Sequence, residues 1–211
     1  MGAQDDISHA LSLSSRDPAT NRRRAILHAT LGRYQDAFAE LHPVLEVDPL
    51  SAMNWRWLAR FHMAEGRIAE ARVALERSLA SAPSSTESWY EMGWLSLMAH
   101  NPEDALASAK RNEASGVLAI TALAEHDLGH VEAARSALEA LKDRHAETVS
   151  FTIAETYAWL GERDAAFRWL ERSYEQQEAG LFMVRMRPSM HRLRGDPRWH
   201  AFLRKMNLPV D

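Results

Sequence analysis

Residues 55–83 read WRWLARFHMAEGRIAEARVALERSLASAP, and much of the pattern returns 34 residues away on both sides. Trp55 recurs as Trp89, Ala71 has Ala37 behind it and Ala105 ahead, Gly66 answers Gly32, Pro83 answers Pro49 and Leu75 answers Leu41. Self-similarity at a fixed period in this range is the signature of stacked supersecondary units, each too small to bury its apolar face alone. Apolar residues at helical spacing before and after Gly66 make this unit two helices joined at a glycine.

Outward from that unit, the chain divides at its turn signals. A short helix over residues 4–14, carrying Ile7, Leu11 and Leu13, stops before Asp17-Pro18, because proline disfavours a helical residue ahead of it. Hairpin one pairs Asn21–Leu31 with Tyr34–Glu46 across Gly32, and hairpin two pairs Ala52–Glu65 with Ile68–Ala80 across Gly66. Ser84 and Glu87 form a capping box for the third hairpin, whose second helix opens on Asn101-Pro102-Glu103-Asp104. The register then slips, with Gly116 as a turn. Hairpin four spans Val117–Leu128 and Val131–Arg144, hairpin five Thr148–Leu160 and Arg163–Gln177. This gives an N-terminal partial-repeat helix (1–17), five hairpins (18–51, 52–85, 86–114, 115–146, 147–178), and an irregular segment with an amphipathic capping helix (179–211).

Two positions in every unit are small. One is Ala25, Ala59, Gly93, Ala122 and Ala154 in the first helices; the other is Ala37, Ala71, Ala105, Ala134 and Ala166 in the second. Small residues let antiparallel helices approach to about 8–9 Å, while Trp55, Leu75, Trp89, Leu138 and Leu170 fill the space between hairpins.

The spacing W-x2-[LM]-[AG], then Gly, then Ala five residues on, then Pro, resembles the tetratricopeptide repeat. The likeness covers residues 18–178 and is most specific in units two and three; units four and five place Leu118 and Ser150 where the aromatic belongs. It implies an all-α fold, a right-handed α-solenoid with a concave groove. The tail, AWLGERDAAFRWLERSYEQQ followed by LRGDPRWHAFLRKMNLP, resembles the C-terminal end of tetratricopeptide regions in bacterial signalling and regulatory proteins. That implies a regulatory scaffold, free-standing or cut from a larger regulator. The family holds a peptide or a partner helix on the inner face of its first helices. Carried over, that ligand groove consists of Arg56, Trp57, Arg60 and Met63 in unit two, Tyr90, Glu91, Trp94 and Met98 in unit three, His126 in unit four, and Phe151, Glu155 and Trp159 in unit five. Exposed aromatics beside Met and Arg have the composition of a binding hot spot. Arg56 and Arg60 would face an acidic group on the ligand, Glu91 and Glu155 a basic one. The family's clamp for chaperone C-terminal carboxylates needs Lys, Arg and Asn at places that here hold Ile26, Trp57 and Glu91, which argues against a chaperone-tail adaptor.

Other chemistries find little support. The 211 residues include no cysteine, so there are no disulfides or thiolate sites, and a reducing cytoplasmic setting is expected. No basic run precedes an apolar one at the N-terminus, and no apolar run approaches a membrane span. His126 and His130 are four apart, but Gly129 breaks their shared face, and no zinc-protease pattern follows. His28 and His62 read as core histidines. Phosphate-binding loops and nucleophile elbows are absent, so neither cofactor, metal nor enzyme activity is expected. The expected partner is a protein or peptide, with a homodimer as the alternative. Net charge is −4, yet residues 180–211 carry Arg185, Arg187, Arg192, Arg194, Arg198, Arg204 and Lys205 against Asp196 and Asp211. A terminal cap for the array outweighs a nucleic-acid contact as the reading of that segment.

Overall fold

The computed structural model describes residues 17–111 and 114–210; the helix expected over residues 4–14 lies outside them. The described residues form eleven α-helices and two 3-10 turns. In order they are α1 (Pro18–Thr30), α2 (Tyr34–Val47), α3 (Ala52–Ala64), α4 (Ile68–Ser81), α5 (Thr86–Met98), α6 (Pro102–Ala109), α7 (Ala114–Asp127), α8 (Val131–His145), α9 (Ser150–Trp159), α10 (Arg163–Glu175) and α11 (Pro197–Lys205). The 3-10 turns, Ala179–Met183 and Pro188–Leu193, lie between α10 and α11. Consecutive helices pair as hairpins, and the hairpins stack into an all-α solenoid.

Local chemistry sets the ends of these helices. Asp17 caps α1 by accepting from the Thr20 amide at 2.8 Å, so Pro18 opens the helix instead of barring it. Its ring fixes a helical φ at a position whose missing N–H is not needed. The cap of α5 is Ser85, one residue beyond the expected box, accepting from the Ser88 amide at 3.2 Å. Asn101 caps α6 through the Asp104 amide at 3.3 Å, as its sequence signals imply. Gly32 and Gly66 take φ +80° and +73° to close their hairpins. The equivalent turn of hairpin three uses His100 at φ 56°, a left-handed conformation without a glycine. Gly116 makes no turn; it lies within α7, which begins at Ala114.

The period recurs as repeated contacts. Trp55 Nε1 donates to the Pro49 carbonyl at 2.7 Å, and 34 residues later Trp89 Nε1 donates to the Pro83 carbonyl at 2.9 Å. Each tryptophan ties the first helix of its unit to the proline that ended the previous hairpin. The small positions are all buried. A Cβ on Gly93 would stand 3.0 Å from Ile120, so even alanine is tight at this α5–α7 crossing. Ala71, the small residue of the second helix in hairpin two, has no exposed surface. Ala71→Leu is expected to cost about 1–3 kcal/mol through overpacking; a urea midpoint equal to that of the native chain would contradict this register.

Residues 179–193 form a strap. It leaves the end of α10, crosses the inner face to the turn of hairpin one, and returns to pack on α9. Leu181, Val184, Met186, Met190 and Leu193 are buried along it. Beyond the strap, α11 lies on α10 through Phe202 against Tyr174, Arg198–Asp164 at 2.8 Å, and a Lys205–Glu171 ion pair. No described helix is long and apolar enough to cross a membrane.

Candidate protein-binding site

The inner wall is built by α1, α3, α5, α7 and α9, the first helices of the five hairpins. An α-helix puts residues three and four apart on one side, so Arg56 and Arg60 share a face of α3, and Tyr90 and Trp94 share a face of α5. Side chains from the strap meet this wall at its centre. Arg187, 3% exposed, donates through Nε to Glu155 and through Nη1 to both oxygens of Glu91 at 3.0 and 3.1 Å. Arg60 Nε donates to Glu91 from the other side at 2.8 Å. The Arg187 guanidinium also lies over the rings of Trp94 and Tyr90, at 5.4 and 5.5 Å from their centroids. Two guanidiniums and two carboxylates therefore balance, and of the four only Arg60 reaches solvent.

Burial raises the pKa of Glu91, but Arg187 and then Arg60 more than reverse this, and the carboxyl is held below its ordinary range. Glu155 has one guanidinium where Glu91 has two; burial dominates and its pKa is raised despite Arg187. For Arg187, burial opposes the charge, yet Glu155 and Glu91 outweigh it and lift the pKa well above the ordinary value.

This arrangement alters the expected groove. Trp57, Trp94 and Trp159 do lie on the inner wall, but they are buried, not exposed. Phe182 of the strap stacks near Trp57, with ring centroids 6.2 Å apart, and Arg60 covers the same indole at 4.5 Å. Trp94 and Trp159 pack edge-to-face at 5.7 Å, while Arg192 stacks on Trp159 at 4.1 Å and donates to its carbonyl. Met63 and Phe151 are buried as well, and the Phe151 amide donates to Glu178 at 2.8 Å. Met98 is half-buried against the core, and exposed His126 pairs with Asp127. Glu91 and Glu155, read as receptors for a basic ligand, hold the chain's own Arg187. The reason is that an apolar segment carrying three arginines stabilises itself by covering this wall, and the repeat pattern does not encode that segment.

What stays accessible is a strip at the N-terminal side of the inner helices. Arg56, Arg60 and Tyr90 of the expected groove are half-buried there, with Met53 and Glu87 exposed. A cavity of about 290 Å³ lined by Arg60, Thr86, Glu87, Tyr90, Ser115, Gly116 and Thr152 opens on this strip. The strap's Phe182, 37% exposed, lies outside the expected groove; its place in the apolar run 181–184 is the signal that could have found it.

Residues 28–99 match the tetratricopeptide repeat family. That stretch carries tetratricopeptide repeats. A sequence comparison with curated proteins finds no match. Among solved structures, this helical array is similar to TTC0263, a thermophilic TPR protein of Thermus thermophilus. They are 19% identical, with a TM-score of 0.62, over 83% of this chain and 100% of that one. It is also similar to PilW, a widely conserved type IV pilus biogenesis factor (15% identity, TM-score 0.58, 91% and 94% covered). A third likeness is to YrrB, a TPR protein with an unusual peptide-binding site (19%, 0.51, 84% and 95%). At these identities the likeness is one of fold.

Most basic residues of the C-terminal segment have partners within the fold. Of the basic C-terminal residues, Arg185 donates to the Leu31 and Pro209 carbonyls at 3.1 and 2.9 Å, and Arg187, Arg192, Arg198 and Lys205 have the partners given above. Glu171 pairs with Lys205, and Arg172 with Glu147. His28 and His62 are buried, and burial lowers both pKa values. Among the described residues no cluster of His, Asp and Glu is placed to hold a metal.

His191, on the strap's second turn, has its pKa lowered to about 4 by burial and by Arg194. Because that is below the ordinary 6.5, the unfolded chain binds a proton that the folded chain refuses across this interval. Stability contributed by neutral His191 is therefore full above pH 6.5 and is lost as the pH falls towards 4; His28 and His62 act in the same direction. Melting temperatures are expected to drop through this window. His191→Gln is expected to flatten the slope, and an unchanged slope would show that His191 is not the group responsible.

Proposed function

We propose that the chain is a non-catalytic protein–protein interaction scaffold that binds a peptide or partner helix on the strip of the concave face beside the strap. The observation that carries this reading is that the inner face already grips a segment of two short 3-10 turns, residues 179–193, through arginine, aromatic and carboxylate side chains. A wall that recognises one segment in this way is suited to a second lying alongside. The tetratricopeptide repeats over residues 28–99, and the peptide-binding site named for YrrB, support it. Resemblance of the C-terminal stretch to bacterial regulators suggests a signalling setting.

The test is site-specific photo-crosslinking in the host cell. A photoreactive residue at Met53, on the strip, is expected to capture a protein partner, while one at Val73, exposed on a second helix, is not. Capture from Val73 and none from Met53 would move the binding surface off the concave face. A second reading, association with another copy, is favoured by Val47 and Leu50, 70% and 78% exposed at the end of hairpin one. Light scattering of the purified chain distinguishes it: a monomer at high concentration removes this reading.

A further inference from the structure

The open strip carries a charge preference that the strap creates. Around it stand Arg22, Arg56 and Arg60 on α1 and α3, and Glu87, Glu91 and Glu155 on α5 and α9, which balance. Arg187 then occupies both buried carboxylates, so the strip with its strap is positive overall. Arg60 is committed to Glu91. Arg22 reaches a neutral amide, donating to Asn54 Oδ1 at 3.3 Å.

Arg56 is the one of the three with a buried nitrogen left without a partner among the described residues. Its side chain is 15% exposed, and its Nη1 lies 3.5 Å from Ser85 Oγ and 3.7 Å from Glu87. Its Nε is screened from solvent with no hydrogen-bond partner among the described residues. A guanidinium taken out of water needs a carboxylate in close geometry. Glu87 supplies that poorly, since its own side chain is 63% exposed and it also accepts from Ser85 at 3.1 Å. Burial lowers the Arg56 pKa, consistent with incomplete compensation. Exposed Met53 and the strap's Phe182 add apolar contact area on the same face.

We propose that this strip is a docking surface for an acidic, apolar-flanked segment of a partner protein. The partner's carboxylates pair with Arg56 and Arg22, and its apolar side chains cover Met53 and Phe182. The inference rests on the concave-face reading above and specifies its ligand. A basic segment is disfavoured, because Glu91 and Glu155 are taken by Arg187 and Glu87 is engaged by Ser85 and Arg56.

The test uses the full chain and short fluorescein-labelled peptides alternating leucine with glutamate, glutamine or lysine, read by anisotropy. The glutamate peptide is expected to bind, the glutamine peptide about tenfold more weakly, and the lysine peptide not at all. Added salt should weaken the glutamate complex. Arg56→Gln should reduce its affinity about tenfold, with partial recovery in Arg56→Lys. Arg22→Gln is a second variant should Arg56→Gln fail to fold. Absence of glutamate-peptide binding, equal binding of the lysine peptide, or indifference to both substitutions would overturn the proposal. So would tighter binding of a single-stranded oligonucleotide of equal charge, which would make the surface one for phosphates. If Met53 crosslinking still captures a partner while these peptides fail, the scaffold reading stands and only the acidic preference falls.

Discussion

Replacing Arg187 by methionine is expected to lower the free energy of unfolding by about 3–5 kcal/mol, because it leaves the buried carboxylates of Glu91 and Glu155 sharing only Arg60. The loss comes from stranded charge, not from lost volume, and a second chain shows this. In the variant Glu91→Gln/Glu155→Gln/Arg187→Met the fully buried charges all go, leaving only Arg60, which reaches solvent, and most of the stability should return, since removing a buried ion cluster is close to neutral. Urea unfolding of the native, single and triple variants measures both steps. A single variant as stable as the native chain would mean that the strap does not hold Arg187 in this site. Failure of the triple variant to recover would place the loss in packing.

The second large effect is expected at Trp94. It has no exposed surface, packs edge-to-face on Trp159 at 5.7 Å and on Tyr90 at 6.4 Å, and presents its face to Arg187. Trp94→Ala is expected to cost about 3–5 kcal/mol through the cavity it opens. Residues in contact do not contribute independently, so the combined Trp94→Ala/Arg187→Met chain should lose less than the two single losses together. Strict additivity would show that the indole and the guanidinium do not support one another. Trp89→Ala should cost less than Trp94→Ala, since Trp89 is only partly buried and its Nε1 bond to Pro83 is at the surface.

The period makes hairpin pairing legible. Gly32 and Gly66, the small residues from Ala25 to Ala166, and the Trp55 and Trp89 anchors all act within one unit or between neighbours, so their spacing in the chain is their spacing in the fold. His100 shows the limit: its place in the period marks the turn, although its residue type does not. The site is legible only as a wall. Trp57 and Trp94 stand on the inner faces, but nothing at 34-residue spacing announces what covers them. Arg187 meets Glu91 across 96 residues, and Arg185 meets Leu31 across 154. Such partners have no periodic signature. The available hint is compositional: Leu181, Phe182, Met183, Val184 and Met186 are too apolar for a solvated tail, and Arg187 among them needs a buried anion. Trp55 and Trp57 have different fates, but Trp55, expected as packing between hairpins, is the half-buried surface anchor, and Trp57, expected in an open groove, is the covered one.

Arrays of repeats behave as one-dimensional chains of nearest-neighbour couplings, and they fray from their ends. Here Tyr34 donates to the Arg185 carbonyl at 3.1 Å and Arg185 to the Leu31 carbonyl, joining the first hairpin to a segment anchored on the fifth. A linear lattice with its first and last units bridged has no free end. Opening hairpin one therefore breaks a coupling to the far side of the molecule as well as the one to its neighbour. Native-state hydrogen exchange should show α1 opening with the body of the array instead of ahead of it.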